Sequence, residues 1–128
     1  MLEIETLEDL LGHPVAGPSW EGMVIETLIA AAGHAVCSFY RTGAGAEIDL
    51  VIEGKRSRRL AIEIKRSSVP SVTRGFRQGC ADLRVLRAAL VYPGRERIPL
   101  GRGLVAVGVH EAADWVRAQL ESKRQAAP

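Results

Sequence analysis

Gly45-Ala46-Glu47-Ile48-Asp49-Leu50-Val51-Ile52-Glu53, then Gly54-Lys55-Arg56-Ser57-Arg58, then Arg59-Leu60-Ala61-Ile62-Glu63-Ile64-Lys65 is the stretch that decides the fold. Two segments rich in β-branched and aliphatic residues flank a short polar loop, the pattern of a β-hairpin. With residues 54–58 as the loop, Glu53 pairs with Arg59, and Asp49 falls opposite Glu63. Alternation along each strand places Ile48, Leu50, Ile52, Leu60, Ile62 and Ile64 on a core face. Asp49, Glu63 and Lys65 then share the other face. Directly opposed residues have Cβ atoms about 5 Å apart, within reach of one shared ion.

Working outward, residues 34–41 read as a strand preceding the hairpin, and Ser19 as the cap of a helix over 19–32 stopped by Gly33. Trp20, Met23, Val24, Ile25, Leu28 and Ile29 give that helix a broad apolar stripe. Thr6 reads as the cap of a short N-terminal helix ended by Gly12, with a Pro- and Gly-rich loop at 12–18. Downstream, a helix over 71–86 presents Val72, Phe76, Leu83 and Leu86, and Gly75 and Gly79 within it suggest close approach to the sheet. Strands at 88–92 and 103–109 and a final helix at 111–122 complete the order α–α–β–β–β–α–β–β–α. The expectation is one α/β domain, a mixed sheet with helices on both faces. It divides into an N-terminal helix and loop (1–18), a core (19–93) and a C-terminal strand, helix and tail (94–128).

Composition narrows the functional classes. The chain has 128 residues, 47% hydrophobic and 25% charged, ordinary globular usage that excludes a disordered protein. No apolar run reaches the ~18 to 20 residues that span a bilayer, so no membrane partner is expected. Glu3, Glu5, Glu8 and Asp9 stand where a secretory leader would be basic and apolar. Cys37 and Cys80 lack a pairing framework and read as reduced thiols, so a cytoplasmic location is expected. The net charge of +2 conceals an asymmetry: residues 1–33 hold six acids and no Lys or Arg, whereas residues 34–104 hold fourteen Lys or Arg against six acids. A basic middle suits a phosphate-bearing partner; a solvated arginine-rich surface is the plainer reading.

The chemistry follows from the hairpin. Two carboxylates brought together repel each other, and a divalent cation removes the conflict; oxygen ligands select Mg²⁺ or Mn²⁺. Lys65, on the same face, can hold a water or a scissile phosphate, so the three residues form an adequate set for phosphodiester hydrolysis. The alternative is a cross-strand network in which Lys65 only neutralises two acids. His13, His34 and His110 are widely spaced, which argues against zinc, and no nucleophile-elbow sequence supports a serine triad.

Asp49 followed by Glu63-Ile64-Lys65 on the next strand resembles the PD-(D/E)xK nuclease core of restriction-endonuclease-like enzymes. That core runs helix, three-strand meander, helix, strand (αβββαβ), as residues 19–93 do. The wider run from Gly12-His13-Pro14-Val15 through Gly17-Pro18-Ser19-Trp20-Glu21, Tyr40-Arg41-Thr42 and Gly45 to Lys65 is similar to the nuclease-like C-terminal domain of unknown function behind the ATPase domain of predicted AAA+ ATPases. The resemblance implies Asp49 and Glu63 as metal ligands, Lys65 as the catalytic lysine, and Glu21 as an acid that assists through the metal. A first-turn acid favoured by the helix dipole explains Glu21 equally well, and Glu26 reads as surface. Arg41, with a salt bridge to Glu47 as its alternative, and the loop residues Lys55, Arg56, Arg58 and Arg59 are candidate phosphate contacts. Gln78 matches a RecB-like glutamine, but Asp82 stands where those nucleases carry tyrosine. No phosphate-cradling Gly-x-x-x-x-Gly-Lys-Ser/Thr loop is present, so this chain does not hydrolyse ATP by that route. The expected partners are nucleic acid, DNA first, and an AAA+ ATPase domain; a homodimer is left open. The rival expectation is a non-catalytic binding module serving such an ATPase.

Overall fold

The computed structural model describes residues 2–6, as backbone, and 19–122. Its elements in chain order are β1 (Leu2–Thr6), α1 (Trp20–Ala32), β2 (Val36–Thr42), β3 (Glu47–Glu53), β4 (Arg59–Ile64), α2 (Arg74–Asp82), β5 (Arg87–Tyr92), β6 (Ile98–Gly101), β7 (Leu104–Gly108) and α3 (Val109–Glu121). The seven strands form one sheet in the order β1-β2-β3-β4-β5-β7-β6. The first four pair antiparallel, β4, β5 and β7 run parallel, and β6 returns antiparallel along β7. This is the mixed sheet expected from three strands with short turns followed by helical crossovers.

The hairpin adopts the register read from its loop: Glu53 faces Arg59, and Leu50 faces Ile62. Paired positions end there, one step short of Asp49 and Glu63. Leu50, Ile52, Leu60, Ile62 and Ile64 pack with Val24, Ile25, Leu28, Trp115 and Val116, so α1 and α3 cover one face. Tyr40, Val51, Ala61, Phe76 and Leu83 form the core on the other face, under α2. Ile48 belongs to this second core, not to the first as strict alternation requires. The reason lies in β2–β3 pairing. Ser38 faces Val51 and Tyr40 faces Ile48, so Phe39 alone opposes both Asp49 and Leu50. This extra residue is a β-bulge; it breaks the alternation between Leu50 and Ile48 and re-aims Asp49.

Other departures have equally local causes. Thr6 is the last residue of a strand paired with β2, which the sequence reading did not anticipate for residues 2–6. Leu2-Glu3-Ile4-Glu5-Thr6 does alternate with period two, a strand signal beside the capping one. The remainder of the expected N-terminal helix, the loop at 12–18 and His13 lie outside the described residues. Ser19 caps α1 as read, accepting from the Gly22 N–H, and Gly33 (φ 61°) stops it. Met23, assigned to the apolar stripe, is 60% exposed. The helix expected over 71–86 is shorter at both ends. It begins only after Thr73, whose hydroxyl takes the Phe76 N–H, and beyond Leu83 the chain turns at Arg84 (φ 54°), leaving Leu86 exposed. β6 escaped the sequence reading because Pro99 sits within it and Pro93, Gly94, Gly101 and Gly103 surround it; proline is tolerated on an edge strand, as here.

The two glycines of α2 do mark close approach. A Cβ at Gly75 would lie 2.5 Å from the Gly45 carbonyl oxygen, and one at Gly79 would lie 2.8 Å from Ile48 Cγ1. Backbone cannot yield as a side-chain tip can. Gly75→Ala should therefore destabilise the protein by about 2 kcal/mol, overpacking outweighing the helix-propensity gain of about 1 kcal/mol. Urea denaturation checks this, and a stabilised variant would show that α2 is free to shift.

Candidate functional site

Glu63 lies at the C-terminal end of β4 and Lys65 directly follows the strand, where the parallel part of the sheet opens and α2 begins. Ligands of open α/β sheets bind at such carboxyl ends. Three contacts fix the end of β4. The Lys65 N–H donates to Val91 O at 2.8 Å. The Trp20 indole N–H at the start of α1 donates to Lys65 O at 3.1 Å. The Ile64 N–H, left over where strand pairing has ended, donates to Asp49 Oδ2 at 2.8 Å. The bulge thus turns the Asp49 carboxylate onto the backbone of the neighbouring strand.

Glu63 is 6% exposed, the sole buried charged or polar residue among those described. Its carboxylate accepts the Thr73 N–H, at 3.3 Å on Oε1 and 3.2 Å on Oε2, at the N-terminal cap of α2. The positive end of the helix favours an anion there. Lys65 Nζ stands 3.5 Å from Glu63 Oε1. Asp49 is held less comfortably. Burial pushes its carboxyl up to about 6, the charges of Glu63, Glu47 and Glu21 act in the same direction, and the Ile64 N–H opposes them. The carboxyl group therefore feels three other acids, which is the mutual repulsion expected from the hairpin.

The remaining candidates are distributed differently. Glu21, in the first turn of α1, is half exposed and pairs with Arg66 at 3.2 Å, although its charge reaches Asp49. Among the described residues no three His, Cys, Asp or Glu form a metal-holding group. Arg41 is exposed, lies over the Phe39 ring at 5.5 Å and pairs with Glu47 at 3.1 Å, the salt bridge weighed as its alternative. Gln78 and Asp82 bond each other at 2.7 Å, and Asp82 also accepts the Tyr40 hydroxyl at 2.8 Å. The pair therefore fixes α2 to β2. Lys55, Arg56, Arg58 and Arg59 lie at the opposite end of the hairpin; Asp49 and Glu53 are four residue steps apart along β3, about 13 Å at the usual rise. The structure does not gather them with the carboxylates. Sequence reasoning missed Trp20 and Thr73 as positioning residues, because a tryptophan in an apolar stripe already has a local explanation and Thr73 falls inside the helix expected to begin at Ser71.

Comparison with known proteins adds a family and little chemistry. Residues 16–112 match the family described as a domain of unknown function, DUF4143. Uncharacterised proteins of Mycobacterium bovis and Mycobacterium tuberculosis are each 41% identical over 107 residues, which is 84% of this chain and 24% of theirs. The chain spans about a quarter of the length of these curated relatives. No solved structure gives a significant match. Among the described residues no helix is long and apolar enough to cross a membrane.

The Asp49 environment yields a pH dependence for the metal-free protein. The folded state binds the Asp49 proton more tightly than the unfolded state does, so ionisation opposes folding. Its stabilising contribution is full below about pH 4 and is lost as pH rises through about 6. Over that window the change is on the order of 2 kcal/mol. Asn keeps an acceptor for the Ile64 N–H and carries no charge. Asp49→Asn should therefore be more stable than wild type at pH 7, with the difference disappearing by pH 4 in thermal melts. A difference that stays constant across this range would contradict the assignment.

Proposed function

The chain belongs to the DUF4143 family, and on that premise we propose that it is a restriction-endonuclease-like domain that hydrolyses phosphodiester bonds of nucleic acid, DNA first, with Mg²⁺ or Mn²⁺. The observation that carries this reading is the meeting of Asp49 and Glu63 at the end of neighbouring strands. There Asp49 is raised in part by the Glu63 charge, and Lys65 Nζ lies 3.5 Å from Glu63. The element order α1-β2-β3-β4-α2-β5 supports it, being that of the nuclease core.

The donors suit a hard divalent ion. Mg²⁺ is commonly held by one or two carboxylates, with water and substrate oxygens completing its shell. Among the described residues no three His, Cys, Asp or Glu gather, and two carboxylates alone are a poor zinc set. Cys80 feels the Glu63 charge, but burial pushes its thiol up to about 11, away from the thiolate that zinc requires. When bound, the ion would make a water more acidic and offset charge on phosphate oxygens. The protein's own groups do the rest. The Ile64 N–H orients Asp49, the Thr73 N–H orients Glu63, and the Lys65 ammonium supplies charge and a donor for a scissile phosphate or its attacking water. Trp20 ties α1 to the same corner, placing Glu21 and Arg66 at its margin. Arg66, next in sequence to Lys65, is better placed than the hairpin loop for a phosphate contact near the carboxylates.

A second reading has its own support. Lys65 pairs with Glu63, Glu21 with Arg66, and Arg41 with Glu47, so much of the charge is already neutralised within the domain. The chain spans only a fraction of its relatives' length, which leaves room for a larger partner region. On this reading the domain is a non-catalytic module serving an AAA+ ATPase.

Purified protein with Mn²⁺ or Mg²⁺ should nick plasmid DNA, and Lys65→Ala should lower the rate at least a hundredfold while leaving the melting temperature within a few degrees. Intact single-stranded, duplex and branched DNA under both metals, with wild type and Lys65→Ala alike, would instead establish the non-catalytic reading.

A further inference from the structure

At the hairpin end of the sheet, away from Asp49 and Glu63, lies a cleft of about 690 Å³. Its walls are the loop 54–58, the connection from α2 to β5 and the last turn of α3. Two arginines build it. Arg59 pairs with Glu53 at 3.4 Å and donates to Leu83 O at 3.4 Å, joining the hairpin to the end of α2. Arg58 donates to the Ser122 carbonyl, joining the hairpin to the end of α3. Four more cations face the cleft: Lys55, Arg56, Arg84 and Arg87. Their side chains have no hydrogen-bond or ion-pair partner among the described residues, and Glu121 is the one acid in the lining.

Two independent features mark the same place. The non-glycine residues with positive φ among those described are Arg56 (60°), Ser57 (57°) and Arg84 (54°), and all three line this cleft. Such backbone persists where the surroundings enforce it, and it concentrates at ligand clamps. Leu86, 59% exposed, lines the cleft together with Leu60 and Leu120, its apolar residues.

We propose that this cleft binds a nucleoside polyphosphate, with its phosphates on Lys55, Arg56, Arg84 and Arg87 and its base against Leu86 and Leu120. The volume falls in the range of small-molecule sites, about 300 to 1,000 Å³. The lining has no aromatic ring on which the successive bases of a nucleic-acid strand would stack. The proposal stands whether or not the carboxylates at the other end of the sheet are catalytic.

Calorimetric titration of the full chain with ATP, GTP and inorganic triphosphate, in metal-free low-salt buffer, tests it. Saturable one-to-one nucleotide binding is expected, with triphosphate at least tenfold weaker because nothing then covers Leu86. The double variant Arg56→Ala/Arg84→Ala should lose at least tenfold in affinity. Leu86→Glu, at a position already exposed, should do the same with an unchanged melting temperature. Lys65→Ala should bind as wild type does. Equal affinity for triphosphate and ATP, with Leu86→Glu indistinguishable from wild type, would overturn the proposal in favour of a generic anion site. Absence of saturable nucleotide binding, or an oligonucleotide that binds the cleft in preference to nucleotides, would also overturn it.

Discussion

The buried carboxylate of Glu63 is the constraint around which this domain is arranged. A charged group at 6% exposure is costly unless polar groups meet it. Here the Thr73 N–H at the cap of α2 and the Lys65 ammonium supply what water would. That requirement brings the start of α2 to the end of β4, and Gly75 and Gly79 let the helix lie close enough to the sheet to stay there. Asp49 then completes the corner by taking the Ile64 N–H, a backbone group that strand pairing no longer satisfies. Each acid orients a neighbouring element, and together they concentrate negative charge where the sheet opens.

Much of this was legible in the sequence because it rests on local rules. The hairpin register came from loop length and alternation, and the structure has Glu53 against Arg59. The caps Ser19 and Gly33 came from side-chain and backbone preferences that need no tertiary context. Parallel pairing of β5 with β4 follows from the helix that connects them, in contrast to the short turns of the meander. The illegible features depend on distant parts of the chain. The bulge at Asp49 and Leu50 exists only relative to Phe39 on β2, and no pattern within β3 announces it. The edge strands β1 and β6 are defined by their partners, and Pro99 within β6 argued against a strand. The pairing of Glu21 with Arg66 joins two elements whose contact no spacing rule gives.

The positive charge of the chain has a similar history. Fourteen Lys and Arg between residues 34 and 104 suggested either a phosphate-binding surface or a solvated arginine-rich one. In the fold they serve separate ends. Lys65 and Arg66 stand by the carboxylates, whereas Lys55, Arg56, Arg84 and Arg87 crown the cleft at the far end of the hairpin. Arg41, Arg58 and Arg59 are engaged in ties within the domain. Charge counted along a sequence measures how much anion a protein attracts, and only the fold divides it among sites.

Asp49 and Glu63 are proposed to share one divalent cation. Crystals grown or soaked with Mn²⁺ and measured for anomalous scattering test it most directly. A shared ion gives one peak within about 2.5 Å of an oxygen from each carboxylate, lost in Asp49→Ala. No peak between them, with Lys65 Nζ still against Glu63, would contradict it.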